Sequence, residues 1–151
     1  MIRVLVIVGT TTFDTLISAL DRSEDNISYL FQVAEGSYNV QHHSFETFIE
    51  NVEELYSDFD LVITHAGAGT VYKLLEGDTP FLVVPNTERS DKHQLELAQF
   101  VGSNLLAKTC TVEELVSADI YKFLVSAVEF KRRNYCKKNF FIKEDILFNW
   151  W

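Results

Sequence analysis

The chain has 151 residues, enough for one domain with a substantial hydrophobic core. It carries 13 Lys and Arg against 22 Asp and Glu. The resulting net charge of −9 argues against binding to nucleic acid, which needs a basic surface. No apolar run is long enough to span a bilayer and the N-terminal run lacks signal-peptide features, so we expect a cytoplasmic protein. The two cysteines lack metal-ligand spacing, and we predict reduced thiols and no metal site.

The first predicted unit is a strand, a turn and a helix. A near-continuous apolar run at residues 2–8 predicts a strand buried on both faces of a parallel sheet. Gly9 and three threonines follow, and apolar positions 13, 16, 17 and 20 predict a helix with Thr12 as its N-cap. The hydroxyl and N–H groups of this turn suit a phosphate, but simple helix capping explains them equally well.

The rest of the chain continues the alternation of strands and helices. Further strands are predicted at residues 27–33, 40–45, 60–64, 81–84 and 105–107, and helical segments at 48–56, 69–76, 93–101 and 119–133. A capping box at Thr111–Glu114 predicts the start of another short helix. Short connections between strand and helix indicate an α/β fold with a Rossmann-like, doubly wound parallel sheet.

The stretch Thr64–Glu76 carries the clearest functional pattern. It places His65, Gly67 and Gly69 between a buried strand and a helix that stops at Gly77. The glycines let a ligand approach the backbone, and the helix points N–H groups and its positive dipole end at that ligand. An anion, most often a phosphate, is the indicated ligand, although ordinary α/β packing remains an alternative. The spacing is neither a Walker loop nor a dinucleotide fingerprint.

Three turns, after residues 8, 63 and 85, are expected to face one crevice, because ligands bind beyond the carboxyl ends of parallel strands. Asp58-Phe59-Asp60 matches the Asp-x-Asp pattern that binds metal and nucleotide diphosphate in one class of glycosyltransferases. Because it precedes a strand, we place it at the amino ends, away from the crevice, and assign it no function.

Three ordered motifs carry a family resemblance: residues 9–17, residues 60–70, and residues 91–98 with the sequence Asp-Lys-His-Gln-Leu-Glu-Leu-Ala. Together they resemble the soluble, donor-binding half of split two-subunit glycosyltransferases, which corresponds to the C-terminal domain of glycosyltransferase family 28. Relatives of this kind include the catalytic subunit of the dolichol-linked GlcNAc transferase and PssE-type subunits of bacterial exopolysaccharide synthesis. The likeness covers about residues 1–118.

The resemblance implies a UDP-sugar-binding domain equivalent to the C-terminal lobe of a GT-B glycosyltransferase. It assigns a first diphosphate-facing loop to Gly9, Thr10 and Thr11. It assigns the second loop to His65, Ala66, Gly67, Ala68, Gly69 and Thr70. The helix N–H groups and the histidine would stabilise the leaving UDP in place of a metal, so no metal or other cofactor is expected.

The resemblance also assigns sugar-facing and ribose-facing positions. Asp91, His93 and Gln94 match the segment that faces the hydroxyls of the donor sugar. The family usually holds the ribose with an acidic residue eight positions after the histidine, where this chain has Lys73. Glu76, one turn further along the helix, is a candidate replacement, while Lys73 would contact a phosphate or point elsewhere. No residue can be assigned as the general base, and the partner lobe is an alternative source.

The C-terminal stretch differs in charge from the rest. Residues 1–130 carry 7 Lys and Arg against 20 Asp and Glu, whereas residues 131–151 carry 6 against 2, with several aromatics. We predict a UDP-sugar-binding domain at 1–118 and a helical, basic and aromatic extension at 119–151. The extension either packs back on the domain or docks to a partner subunit or an anionic membrane surface.

The resulting hypothesis is the catalytic, donor-binding subunit of a heteromeric inverting glycosyltransferase. It would move a sugar from a UDP-sugar to a lipid-linked acceptor, with a membrane-anchored, acceptor-binding partner subunit holding it at the cytosolic membrane face. The alternatives are a non-catalytic nucleotide-sugar-binding or scaffolding subunit, and a generic Rossmann-like module for another phosphorylated ligand. The enzyme should turn over the donor together with its partner, and the binding subunit should show affinity for the nucleotide sugar without turnover. The generic module should not bind UDP.

Overall fold

The computed structural model describes residues 1–88 and 93–133, which form a six-stranded, fully parallel sheet with helices on both faces. The strands are β1 Ile2–Ile7, β2 Ile27–Gln32, β3 Ser44–Glu46, β4 Leu61–Thr64, β5 Phe81–Val83 and β6 Lys108–Thr109. The helices are α1 Asp14–Leu20, α2 Ala68–Glu76, α3 His93–Ser103, α4 Val112–Ser117 and α5 Ile120–Val128, with a 3₁₀ helix at Val52–Asp58. The predicted α/β class is confirmed.

The strand order is β3-β2-β1-β4-β5-β6. The chain therefore builds outward from β1 on one side, returns to β4, and builds outward again on the other side. The reversal falls between β1 and β4, whose register pairs Val4 with Leu61 and Ile7 with Thr64. In open α/β sheets the ligand crevice lies beyond the carboxyl ends of the strands at such a reversal.

Alternate side chains of β1 and of Val8, which follows it, pack into two separate cores. Val4, Val6 and Val8 pack with α1, α4 and α5 on one face, while Leu5 and Ile7 pack with α2, α3 and the 3₁₀ helix on the other. Five successive apolar positions from Val4 to Val8 are thus almost entirely buried, which explains the continuous apolar run in the sequence.

Two local predictions are wrong. Helix α1 begins at Asp14 with Phe13, and not Thr12, at the cap position, because the Phe13 ring is fully buried in the core. The residues 105–107 end helix α3 instead of forming a strand. Leu105 takes a left-handed φ of 55°, its N–H donates to Gly102 O, and the Leu106 N–H donates to Val101 O. This is a Schellman ending, and β6 starts only at Lys108.

Other boundaries are shifted by a few residues. The strand expected at 40–45 is reduced to β3 at Ser44–Glu46, and the helical spacing at 48–56 becomes the 3₁₀ helix. The helix start predicted at Thr111 is confirmed, because Thr111 Oγ1 accepts from the Glu114 N–H at 3.1 Å and donates to the Glu114 carboxylate at 3.2 Å.

Helix α5 lies within the first core through buried Leu124 and Ala127, which confirms a helix in the segment 119–133. Beyond it, Arg132 donates to the carbonyls of Leu74 and Gly77 at the end of α2, at the amino edge of the sheet. The predicted division at residue 118 stays a prediction, and residues 134–151 of the extension lie outside the described residues. No helix in the described ranges is both long and apolar enough to cross a bilayer.

Candidate nucleotide-sugar site

The carboxyl ends of β1, β4 and β5 lie side by side and are connected by backbone hydrogen bonds. The His65 N–H donates to Ile7 O at 3.3 Å, and the Val84 N–H donates to Thr64 O at 2.8 Å. The turns after residues 8, 63 and 85 therefore emerge at one edge of the sheet, as predicted from the sequence.

The imidazole of His65 is enclosed between two glycines. Gly9, with a left-handed φ of 72°, approaches so closely that a Cβ there would lie 2.7 Å from His65 Nε2. A Cβ at Gly67 would lie 2.8 Å from the same atom and would overlap Cε1. Real Cβ atoms do not approach this closely, so both positions require glycine for the ring to occupy this place. The sequence predicted glycine for ligand approach; the structure adds that glycine admits the histidine.

Helix α2 begins directly above this ring. Gly67 is the cap residue, and its carbonyl accepts from the Val71 N–H at 3.0 Å. A glycine has no side chain with which to cap the first-turn N–H groups, which have no partner within a helix. Residues 67–70 are half-buried at this edge. The helix dipole and these N–H groups make the position favourable for an anion.

A buried amide that sequence reasoning missed supports the first loop. Gln32, at the end of β2 and 4% exposed, accepts from the N–H groups of Val8 and Gly9 and donates to the carbonyls of Gly9 and Thr47. Nothing in the local pattern distinguishes it from other polar residues at strand ends, because its partners come from other segments.

A second set of polar contacts ties the β5–α3 loop to the β1–α1 loop. The buried Asn86 side chain donates to Thr12 O at 2.9 Å, and its Oδ1 accepts from the Glu88 N–H. The Glu88 carboxylate accepts from the Thr15 N–H at the start of α1. These contacts bridge from β5 to β1, past the end of the intervening strand β4. They were also not predicted.

The other predicted site residues are distributed as follows. Thr10 is exposed, Thr11 half-buried and Ala66 buried in the loops already described, and His93 is exposed at the start of α3. Gln94 is 5% exposed and its Oε1 accepts from the Asn86 N–H at 3.0 Å. Its predicted sugar contact stays a prediction. Asp91 lies outside the described residues.

Glu76 is not brought together with His65. It lies in the last turn of α2, about 12 Å along the helix from Ala68 at 1.5 Å per residue. Glu76 and Lys73 instead line an open cleft with Glu53 and Tyr56 of the 3₁₀ helix. The predicted ribose contact of Glu76 stays a prediction.

The Asp-x-Asp pattern lies at the amino edge, as predicted. Asp60 accepts from the Arg3 N–H at 2.8 Å, and the Arg3 guanidinium donates to Asp58 O at 2.7 Å. Within residues 1–88 and 93–133, no three His, Cys, Asp or Glu side chains are grouped so as to hold a metal ion.

Comparison with known proteins gives consistent matches. The model of the glycosyltransferase family 28 C-terminal domain matches residues 3–144, which extends past the residue 118 where the motif likeness ends. The human UDP-N-acetylglucosamine transferase subunit ALG13 is 32% identical over 139 residues, covering 82% of this chain and 12% of that protein. The UDP-N-acetylglucosamine--N-acetylmuramyl-(pentapeptide) pyrophosphoryl-undecaprenol N-acetylglucosamine transferase of Psychromonas ingrahamii is 31% identical over 137 residues, covering 82% of this chain and 39% of that protein.

Among solved structures, the chain resembles MurG of Acinetobacter baumannii, with a TM-score of 0.62 and 23% identity over 83% of this chain and 42% of that one. This likeness concerns the fold alone. The chain thus spans less than half of each of these relatives. Because the family model matches most of its length, the chain belongs to the family of the glycosyltransferase family 28 C-terminal domain.

Proposed function

We propose that this protein is the donor-binding subunit of a two-subunit glycosyltransferase that uses UDP-N-acetylglucosamine. Its crevice would hold the UDP diphosphate between the Gly9 loop and the first turn of α2. A membrane-anchored partner would supply the second lobe and the lipid-linked acceptor, and would hold this subunit at the cytosolic membrane face.

The observation that carries this proposal is the arrangement at the ends of β1 and β4. A left-handed glycine, a buried imidazole and an uncapped helix start meet at the point where the strand order reverses. Together they offer hydrogen-bond donors and a positive dipole end at the place where α/β sheets bind nucleotides.

The identity of the donor and the need for a partner are supported by the relatives. Both curated relatives are named as N-acetylglucosamine transferases, one of them as a transferase subunit and the other as acting on a pyrophosphoryl-undecaprenol compound. This chain covers 42% of the MurG chain, which fits the proposed role as one lobe of a GT-B enzyme.

The chemistry proposed for this lobe is stabilisation of the leaving UDP. As the sugar–phosphate bond breaks, negative charge develops on the β-phosphate. Fixed N–H donors at the start of α2 are oriented before the reaction and cost no reorganisation, which is how such sites lower the barrier. His65 would bind and orient the diphosphate, and we assign the general base to the partner lobe. We propose that this works without a divalent metal.

A non-catalytic nucleotide-sugar-binding subunit is the second candidate, and Lys73 favours it. The family's ribose-binding position is acidic, and a lysine offers no acceptor to the two ribose hydroxyls. Lys73 is exposed and lines the cleft beside the 3₁₀ helix.

Calorimetric titration of the full chain with UDP and UDP-N-acetylglucosamine, with EDTA or with Mg²⁺, tests the proposal. We expect binding that does not change when the metal is removed. A Lys73→Glu variant should bind more tightly if the ribose contact is weakened in the wild type. Transfer of labelled sugar to a lipid-linked acceptor, measured with the co-expressed partner, separates the enzyme from the binding subunit. Binding of neither nucleotide, with or without the partner, would contradict both candidates.

A further inference from the structure

We infer that Gln32 is a positioning residue of the diphosphate site: it fixes the conformation of Gly9 and, through Gly9, the place of the His65 imidazole. This inference rests on the proposed function. It concerns a residue of β2, one strand away from the reversal point between β1 and β4, whose side chain is buried with only 4% of its surface exposed.

The Gln32 amide is fully used by four hydrogen bonds. Its Oε1 accepts from the N–H of Val8 at 3.1 Å and of Gly9 at 2.9 Å. Its Nε2 donates to Gly9 O at 2.8 Å and to Thr47 O at 2.9 Å. A primary amide has two donor hydrogens and two acceptor lone pairs, so its capacity is exhausted by these backbone partners.

Three of the four bonds hold residues 8 and 9, where β1 has ended and the ladder to β2 no longer constrains the backbone. Both the N–H and the carbonyl of Gly9 are bound by the same side chain, which restricts the orientation of the peptide units on both sides of its Cα. The left-handed φ of 72° at Gly9 is the conformation that these two contacts select.

The conformation of Gly9 in turn determines the space available to His65. The position at which a Gly9 Cβ would stand is 2.7 Å from His65 Nε2 and 3.3 Å from Cε1, so the backbone there forms one wall of the ring's enclosure. A rotation at Gly9 would move this wall. Gln32 therefore acts on the proposed phosphate loop and on the histidine without touching the ligand.

A merely structural role would affect stability alone, so the test needs a local readout. Gln32→Glu keeps the shape of the side chain. When the new carboxyl group is ionised, an oxygen acceptor replaces the Nε2 amide group that donates to Gly9 O and Thr47 O. Gln32→Ala removes all four bonds. The matched control is Asp21→Asn at the end of α1. That change disturbs a buried carboxylate that accepts from the Tyr38 hydroxyl and the N–H groups of Gln41 and His42, at the opposite edge of the sheet.

UDP affinity is measured by calorimetry on variants shown by circular dichroism to be folded at the assay temperature. We expect the UDP Kd to rise about 10- to 100-fold in both Gln32 variants, the range that small displacements of site groups produce, and to stay unchanged in Asp21→Asn. Amide hydrogen exchange by NMR should show faster exchange at Gly9 in the Gln32 variants and unchanged exchange there in the control.

The pH profile provides the third readout. Burial raises the pKa of an introduced carboxyl group, and its protonated form regains one donor. The UDP affinity of Gln32→Glu, relative to that of the wild type at the same pH, should therefore rise towards the wild-type value as the pH falls from about 8 to about 5.5. The relative UDP affinity of Gln32→Ala should not change over this range.

The outcomes separate this inference from the proposed function. A wild type that does not bind UDP, with or without the co-expressed partner, contradicts the proposed function, while exchange at Gly9 still decides whether Gln32 holds the loop. A wild type that binds UDP, with folded Gln32 variants that bind equally well, overturns the inference alone. Loss of folding in Gln32→Glu would also overturn it, because Gln32 would then support the whole sheet and not this loop.

Discussion

Because His65 is enclosed between Gly9 and Gly67, we expect the single methyl group added by Gly67→Ala to destabilise the fold. Gly67 has an ordinary φ of −79°, so alanine is compatible with its backbone and the effect of Gly67→Ala is purely steric. The added Cβ would lie 2.8 Å from His65 Nε2 and would overlap Cε1, so the ring has to move or the start of α2 has to shift.

The expected loss of stability follows from this overlap. Overpacking a well-packed site costs about 1–3 kcal/mol. For a chain of this length, about 2 kcal/mol corresponds to a fall in Tm of about 4–8 °C. Gly9→Ala should cost a comparable amount, because its overlap is milder, with a nearest distance of 2.7 Å, but the left-handed conformation of a non-glycine residue adds about 1–2 kcal/mol.

Thermal and urea unfolding measure both effects. Gly77→Ala is the matched control, since a Cβ there would meet only the Leu74 carbonyl at an ordinary 3.9 Å, and its Tm should be unchanged. In a His65→Ala background, where the ring is absent, Gly67→Ala should lose most of its cost. Additive effects of the two changes, or a Gly67→Ala variant as stable as the wild type, would refute the enclosure of the ring.

Three further predictions concern buried polar groups and a thiol. Asn86→Ala should lower the free energy of urea unfolding by about 1–3 kcal/mol, because Thr12 O and the Glu88 N–H lose their partner; no loss would contradict the bridging contacts. Burial raises the pKa of Asp21, but hydrogen bonds from the Gln41 N–H, the Tyr38 hydroxyl and the His42 N–H bring that pKa below its usual value. The hydrogen bonds to the Asp21 carboxylate therefore stabilise the fold at pH values above the pKa that Asp21 has in the unfolded chain. This stabilisation is lost as the pH falls through the lower pKa that Asp21 has in the folded protein. The difference in unfolding free energy between the wild type and Asp21→Asn should therefore shrink below about pH 4. Burial raises the pKa of the Cys110 thiol to about 12, so in a Cys136→Ser variant the native protein should resist thiol reagents at neutral pH and react only on unfolding; rapid labelling of the native state would contradict this burial.

The α/β architecture could be predicted from the sequence because the signals that indicate it are local. Apolar runs such as residues 4–8 fit a strand buried on both faces. The pair Thr111 and Glu114 predicts a helix start, and the structure has a helix start there. The reversal in strand order and the shared edge of the three turns then follow from general rules of α/β topology. The predictions failed where tertiary packing decides, as at Phe13, which enters the core and takes the cap position expected for Thr12.

The candidate site could be predicted only in part, for the same reason. The loop His65-Ala66-Gly67 is contiguous, so its pattern can be read directly from the chain. Gln32 and Asn86 are separated from Gly9 and Thr12 by 23 and 74 residues, and only the folded sheet brings them together. The side-chain amide that holds a loop has no sequence signature of its own, because its partners are backbone atoms that any residue could supply.

The central claim is that UDP binds at the carboxyl ends of β1 and β4, and an NMR titration of the 151-residue chain with UDP in the presence of EDTA tests it most directly. The account predicts that the largest amide shift changes occur at Gly9, Gly67, Gly69 and Thr70. Shift changes confined to the amino edge, around Arg3 and Asp60, or no change at saturating UDP, would contradict it.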